Sequence, residues 1–146
     1  MALFDYQDDE FSLYDALFKP LTGAFGPLTG STLAADVPFS AGGAISLATR
    51  EADGLYVTTE LIRDRDQLVS AEGLNYELFM FSSLAPATVR EILGHVATVH
   101  LDMPLEEGGL ADVGQLSFEP LPGAAVRFRK FSEEPAGFGL YQVSFA

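Results

Sequence analysis

Apolar residues in this chain recur with helical period in two places and alternate with period two between and after them. From Asp8 to Lys19, Phe11, Tyr14 and Phe18 fall at helical spacing with Leu17 beside them. Asp8, Asp9 and Glu10 put negative charge where a helix N-terminus favours it, and Pro20 predicts the end of this first helix. The second helical pattern starts at about Ala85, where Ser82 or Ser83 is the predicted cap and Pro86 suits the first turn. Val89, Ile92, Leu93, Val96 and Val99 then form one apolar stripe, ended by Pro104.

The alternating segments predict strands. Ala44–Arg50 and Leu55–Ile62 read as a hairpin closed by Asp53-Gly54, with Leu55, Val57, Thr59 and Leu61 on one face and Tyr56, Thr58, Glu60 and Ile62 on the other. In Tyr76–Phe81, Tyr76, Leu78 and Met80 face one way and Phe79 and Phe81 the other, so this strand is expected to be central and covered on both sides. Glu77 is the odd residue in it. Further strands are predicted at Gly114–Glu119, Ala124–Phe131 and Phe138–Phe145; in the second, Val126 and Phe128 alternate with Arg127 and Arg129. The stretch from Gly43 to Val99 holds the hairpin, the central strand and the second helix, and the rest is expected to wrap around it.

Between these elements lie breaks. Residues 21–43 carry Gly23, Gly26, Pro27, Gly30, Pro38, Gly42 and Gly43 and read as an irregular connection, with Phe25, Leu28, Leu33, Val37 and Phe39 packing it along the core. Arg63–Gly73 carries Arg63, Asp64, Arg65, Asp66 and Glu72, whose alternating signs predict a solvated loop or a short exposed helical turn. Glu106–Gly109 predicts a mobile acidic turn. The order helix, strands, helix, strands gives an α+β class: one domain over residues 1–146, with a mainly antiparallel or mixed sheet and two or more helices packed on it. Its parts are an N-terminal helix (1–20), the connection (21–43) and the sheet-and-helix body (44–146).

Composition adds few constraints, and charge adds one. The chain has 146 residues, enough for a single core, and its 48% hydrophobic content is that of a folded globular domain. Twenty-one Asp and Glu against 8 Lys and Arg give a net charge of −13, which repels nucleic acid and anionic membranes and complements a basic partner. The absence of cysteine excludes disulfides, thiolate metal sites and cysteine nucleophiles. The acidic start Met1–Glu10 does not resemble a signal peptide, and no segment approaches the roughly 20 apolar residues of a membrane span. A cytoplasmic location is the expectation.

Candidate chemistry is sparse. His95 and His100 are spaced too far around a helix to share a metal, and Glu91 with His95 at i, i+4 is an ordinary surface pair, so neither metal nor cofactor is expected. The acidic pairs Asp8-Asp9, Glu106-Glu107 and Glu133-Glu134 lie in flexible segments and cannot hold carboxyls across a substrate. Gly42-Gly43 and Gly108-Gly109 are too short for a phosphate loop, and there is no Gly-x-Ser-x-Gly elbow. Glu77 is the one carboxylate whose desolvation would raise its pKa toward acid–base work; the competing reading is a structural carboxylate bonded to a loop backbone or to an arginine. Arg127, Arg129 and Lys130 form a basic cluster fit for surface ion pairs, a small anion or a partner's carboxylates.

The run Leu55-Tyr56-Val57-Thr58-Thr59, a polar connection of about a dozen residues, then Asn75-Tyr76-Glu77-Leu78 and an apolar strand leading into a helix, resembles the suppressor of fused family in its small bacterial single-domain form. The likeness covers roughly residues 44–101. It implies a mixed sheet flanked by helices, no catalytic residues, and action by binding another protein, as in immunity proteins that neutralise a toxin. The expectation is therefore a non-enzymatic protein-interaction module, immunity-type or regulatory, with Tyr76, Glu77, Arg127 and Arg129 as candidate binding residues and a basic protein as partner. The alternative is a small hydrolase or transferase using Glu77 with Arg127 and Arg129. The oligomeric state is left open.

Overall fold

The computed structural model describes residues 8–26, 28, 45–50, 54–63, 68–114, 116 and 120–146. Among them the fold is α+β. Helix α1 (Asp8–Phe25) precedes the hairpin strands β1 (Leu47–Arg50) and β2 (Leu55–Thr58), a 3₁₀ turn at Leu61–Arg63, and strand β3 (Asn75–Phe81). Helix α2 (Pro86–Val99) follows, then β4 (Leu110–Asp112), β5 (Ala125–Ser132) and β6 (Phe138–Phe145). The described strands form one sheet in the order β1-β2-β3-β6-β5-β4. It is mixed: β3 and β6 run parallel, and every other neighbouring pair is antiparallel.

Alternation along β3 builds two cores. Tyr76, Leu78 and Met80 join Tyr56, Val126, Phe128, Tyr141 and Val143 beneath the α2 stripe of Val89, Ile92, Leu93 and Val96. On the opposite face, Phe79 joins Leu55, Val57, Ala48 and Leu140 beneath Leu17, Phe18 and Leu21 of α1. As expected, β3 is central and buried on both sides, and β5 buries Val126 and Phe128 while Arg129 faces solvent.

Several boundaries differ from the sequence reading. Helix α1 does not stop at Pro20 but carries it inside and runs to Phe25, followed by Gly26, whose φ is +99°. An interior proline costs about 3 kcal/mol, and burying Leu21 alone returns roughly 1.5–3. The last turn also places the Phe25 ring 4.9 Å from Phe81 and 5.8 Å from Phe131, and the Arg50 side chain donates to the Phe25 carbonyl, a cation at a helix C-terminus. Of the connection at 21–43, the first five residues are therefore helical, and 29–43 lie outside the described residues. So do Asp53 of the predicted turn and residues 64–67. Gly54 itself has a φ of +65°, and a side chain there would collide with the Ser82 carbonyl.

Strand β2 ends at Thr58, short of the predicted Ile62. With the alternation broken, Leu61 enters the α2 core and Ile62 the α1 core, the reverse of their expected faces. The α2 cap is Ala85, without a side-chain bond, and Ser82 Oγ instead accepts from the Leu84 N–H at 3.0 Å. The Glu106–Gly109 turn is held rather than loose, because Gly108 N–H donates to the Phe128 carbonyl and Phe128 N–H to that of Gly109. It leads into β4 at Leu110–Asp112. That strand lies ahead of the one expected at 114–119, of which 115 and 117–119 are outside the described residues.

Because α1 persists through Pro20 by packing and not by propensity, Pro20→Ala should restore the bond to the Ala16 carbonyl. The expected gain is about 1–3 kcal/mol in urea-denaturation stability; an unchanged or lower value would mean that the helix is not continuous there.

Candidate functional site

Glu77 projects from the central strand into the α1 side of the sheet with no exposed surface. Its Oε1 accepts from Thr58 Oγ1 at 2.5 Å and from the Leu61 N–H at 3.2 Å, and its Oε2 accepts from the Ile62 N–H at 3.2 Å. Thr58 Oγ1 in turn accepts from the Leu78 N–H at 2.8 Å. Leu61 and Ile62 open the 3₁₀ turn, so the carboxylate serves as its cap from a strand distant in sequence. These three described donors help satisfy a charge that would otherwise cost several kcal/mol to bury.

Tyr76 points the other way, fully buried against Tyr141 with ring centroids 5.7 Å apart, and its hydroxyl finds no partner among the described residues. Burial, reinforced by the negative charge of Glu77 and by Tyr141, pushes the Tyr76 phenol far above its ordinary value. Burial raises Tyr141 as well. With no exposed surface, Tyr76 cannot touch a partner in this conformation.

Arg127 and Arg129 sit on the same sheet face as Glu77 but at its far end. Glu77 pairs with Leu140 of β6, whereas Arg129 pairs with Gln142 and Arg127 with Ser144. Two strand spacings, roughly 10 Å, separate β3 from β5. The contact between the Phe79 and Phe131 rings, 5.2 Å between centroids, lies on the same face. Four sequence-selected residues thus occupy three places: a buried ring, a buried carboxylate and an outward arginine pair. Lys130, the third member of the basic cluster, turns away from that pair to bridge Glu72 at 2.5 Å and Glu133. These hydrogen bonds raise the Lys130 ammonium and lower the Glu133 carboxyl from their ordinary values.

The histidines have structural contacts. His95 Nε2 lies 3.0 Å from the Asp112 carbonyl, tying α2 to β4, and His100 is buried with Nδ1 2.7 Å from the Val96 carbonyl and its ring edge-on to Phe128. Among the described residues no group of three His, Asp or Glu side chains is arranged to hold a metal ion. The reading of Glu77 as a structural carboxylate bonded to a loop backbone is what the Leu61 and Ile62 N–H groups supply; which backbone groups they would be was not legible. The one local signal, a threonine strand followed by a polar connection, does not say which backbone N–H groups turn back.

Replacing Glu77 by Gln presents an amide donor to one of the two backbone donors, so Glu77→Gln should lose about 1–3 kcal/mol in urea titration while keeping the native fold by circular dichroism. Wild-type stability would place the carboxylate outside this network. For Tyr76, the unfolded chain ionises near pH 10 while the folded chain holds its proton to higher pH, so stability falls as pH rises above about 10. Tyr76→Phe should soften that alkaline loss and, by removing an unpartnered hydroxyl, add about 1 kcal/mol at pH 7; thermal melts from pH 7 to 11 test both. Compared with protein-family models, with curated proteins and with solved structures, the chain matches none.

Proposed function

We propose that this chain is a non-enzymatic protein-interaction module, similar in kind to the suppressor of fused family and immunity-type or regulatory in role. The observation that carries the reading is the state of Glu77. The carboxylate best suited by sequence to acid–base chemistry is fully buried, with both oxygens engaged by Thr58, Leu61 and Ile62, and it does not converge with Arg127 and Arg129. An active site of the hydrolase or transferase kind needs an open cleft in which such groups meet.

Charge supports the same reading. A net charge of −13 steers basic proteins in and holds nucleic acid off. No helix among the described residues is long and apolar enough to cross a membrane. The partner proposed is therefore a basic protein, drawn by long-range attraction and meeting an acidic surface.

The test is a pull-down with the full chain as bait from lysate of its source organism, at low and raised salt, read by mass spectrometry. A basic protein retained at low salt and released as salt rises is the expected result. A folded bait that retains nothing would remove the proposal.

A further inference from the structure

We propose that the outer face of β4, β5 and β6 around Arg127 and Arg129 is a docking surface for an extended acidic segment of another protein, an inference that deepens the protein-binding reading and rests on it. Cover on the α1 side is uneven. Leu17, Phe18 and Leu21 lie over Ala48, Leu55, Val57, Phe79 and Leu140, which belong to β1, β2, β3 and β6. Among the described residues no side chain of β4 joins that core, and of β5 only Phe131, beyond the arginines, packs against it. On the same face Arg129 and Asp112 are exposed, Arg127 is half-buried and Leu110 is 56% exposed.

Register arranges these side chains in rows. Leu110, Arg127 and Ser144 lie side by side across β4, β5 and β6, and Arg129 stands beside Gln142 in the next row. The guanidinium groups of the two arginines make no hydrogen bond or ion pair with any described residue, in a chain whose acids outnumber its bases 21 to 8. Two nearby acids on this edge have other contacts. Asp112 Oδ1 accepts from the Gly114 N–H at 2.9 Å, and Glu107 Oε2 from the Lys130 N–H at 3.3 Å.

Spacing defines the occupant. Arg127 and Arg129 are two residues apart on one strand, about 6.8 Å, and an extended chain repeats its side chains at the same interval. Alternate Asp or Glu residues of such a segment meet both guanidinium groups at once, with charge-assisted bonds that a lysine could not fork in the same way. Leu110 then offers an apolar contact beside the first, while Gln142 and Ser144 supply hydrogen-bonding groups along β6. This local cationic patch is compatible with the acidic surface elsewhere: the field of the whole chain sets which protein approaches, and the arginine pair anchors one segment of it.

The experiment uses the full chain and a fluorescent peptide of alternating Glu and Thr, with a control of the same composition in which the Glu residues are contiguous, read by fluorescence anisotropy. The alternating peptide should bind about tenfold more tightly than the control, and the double variant Arg127→Ala/Arg129→Ala should lose about tenfold or more. Arg129→Gln should lose part of this, at an unchanged melting temperature. Equal binding of the two peptides, undiminished binding by the double variant, or displacement of the peptide by inorganic phosphate at matched concentration would overturn the proposal, the last by assigning a small-anion site. If the pull-down partner is held as well by the double variant as by wild type, the interaction reading stands and this surface falls. If the peptide binds as expected while the bait retains nothing, the surface stands without the basic partner.

Discussion

A carboxylate sealed inside a sheet has to be met by donors, and the way Glu77 is met fixes much of what surrounds it. Its oxygens take the hydroxyl of Thr58 and the N–H groups of Leu61 and Ile62, which stops β2 and turns the chain into a 3₁₀ turn. That turn sends Leu61 to the α2 side and Ile62 to the α1 side, so one charged group is coupled to the packing of both cores. Thr58 relays the constraint back into β3 by accepting from Leu78. Removing either partner would leave a buried group unpaired, the costliest kind of local defect in a fold of this size.

Among the described residues, three other cations hold segments together. Arg50 meets the end of α1, Arg90 reaches the Ile45 carbonyl at 2.9 Å, and Lys130 gathers Glu72 and Glu133. Arg127 and Arg129 differ in standing on an outward strand face away from α1. Among the described residues, the α1 core thus covers β1, β2, β3 and the Leu140 end of β6, and the α2 core covers the other face out to β4. At the remaining corner charge, hydrogen-bonding groups and the exposed Leu110 come together.

A mixed sheet flanked by helices is an architecture shared by many proteins, and function lives in the site. The site argues from its own chemistry. Glu77 reads as a strut because its oxygens are occupied, whichever family the chain is compared with.

Elements whose burial is two-sided or strongly periodic could be read from the chain directly: β3, β5, β6 and α2 appear within one or two residues of their expected places, because side-chain period reports which faces are covered. Short or non-locally held elements could not. Strand β4 is three residues long with only Ala111 buried, too short to show a period, and α1 outlasts Pro20 through contacts with residues from Arg50 to Phe131. Glu77 stood out as a polar residue in an apolar strand, but its donors lie 15 to 19 residues away in sequence, and a side chain cannot announce which backbone groups will turn toward it. Sequence by itself determined the periods, the charge and the class of fold. Tertiary structure decided the parallel pairing of β3 with β6, the burial of Tyr76 and Glu77, and the outward face left to Arg127 and Arg129, because each depends on contacts between segments that only the folded chain brings together.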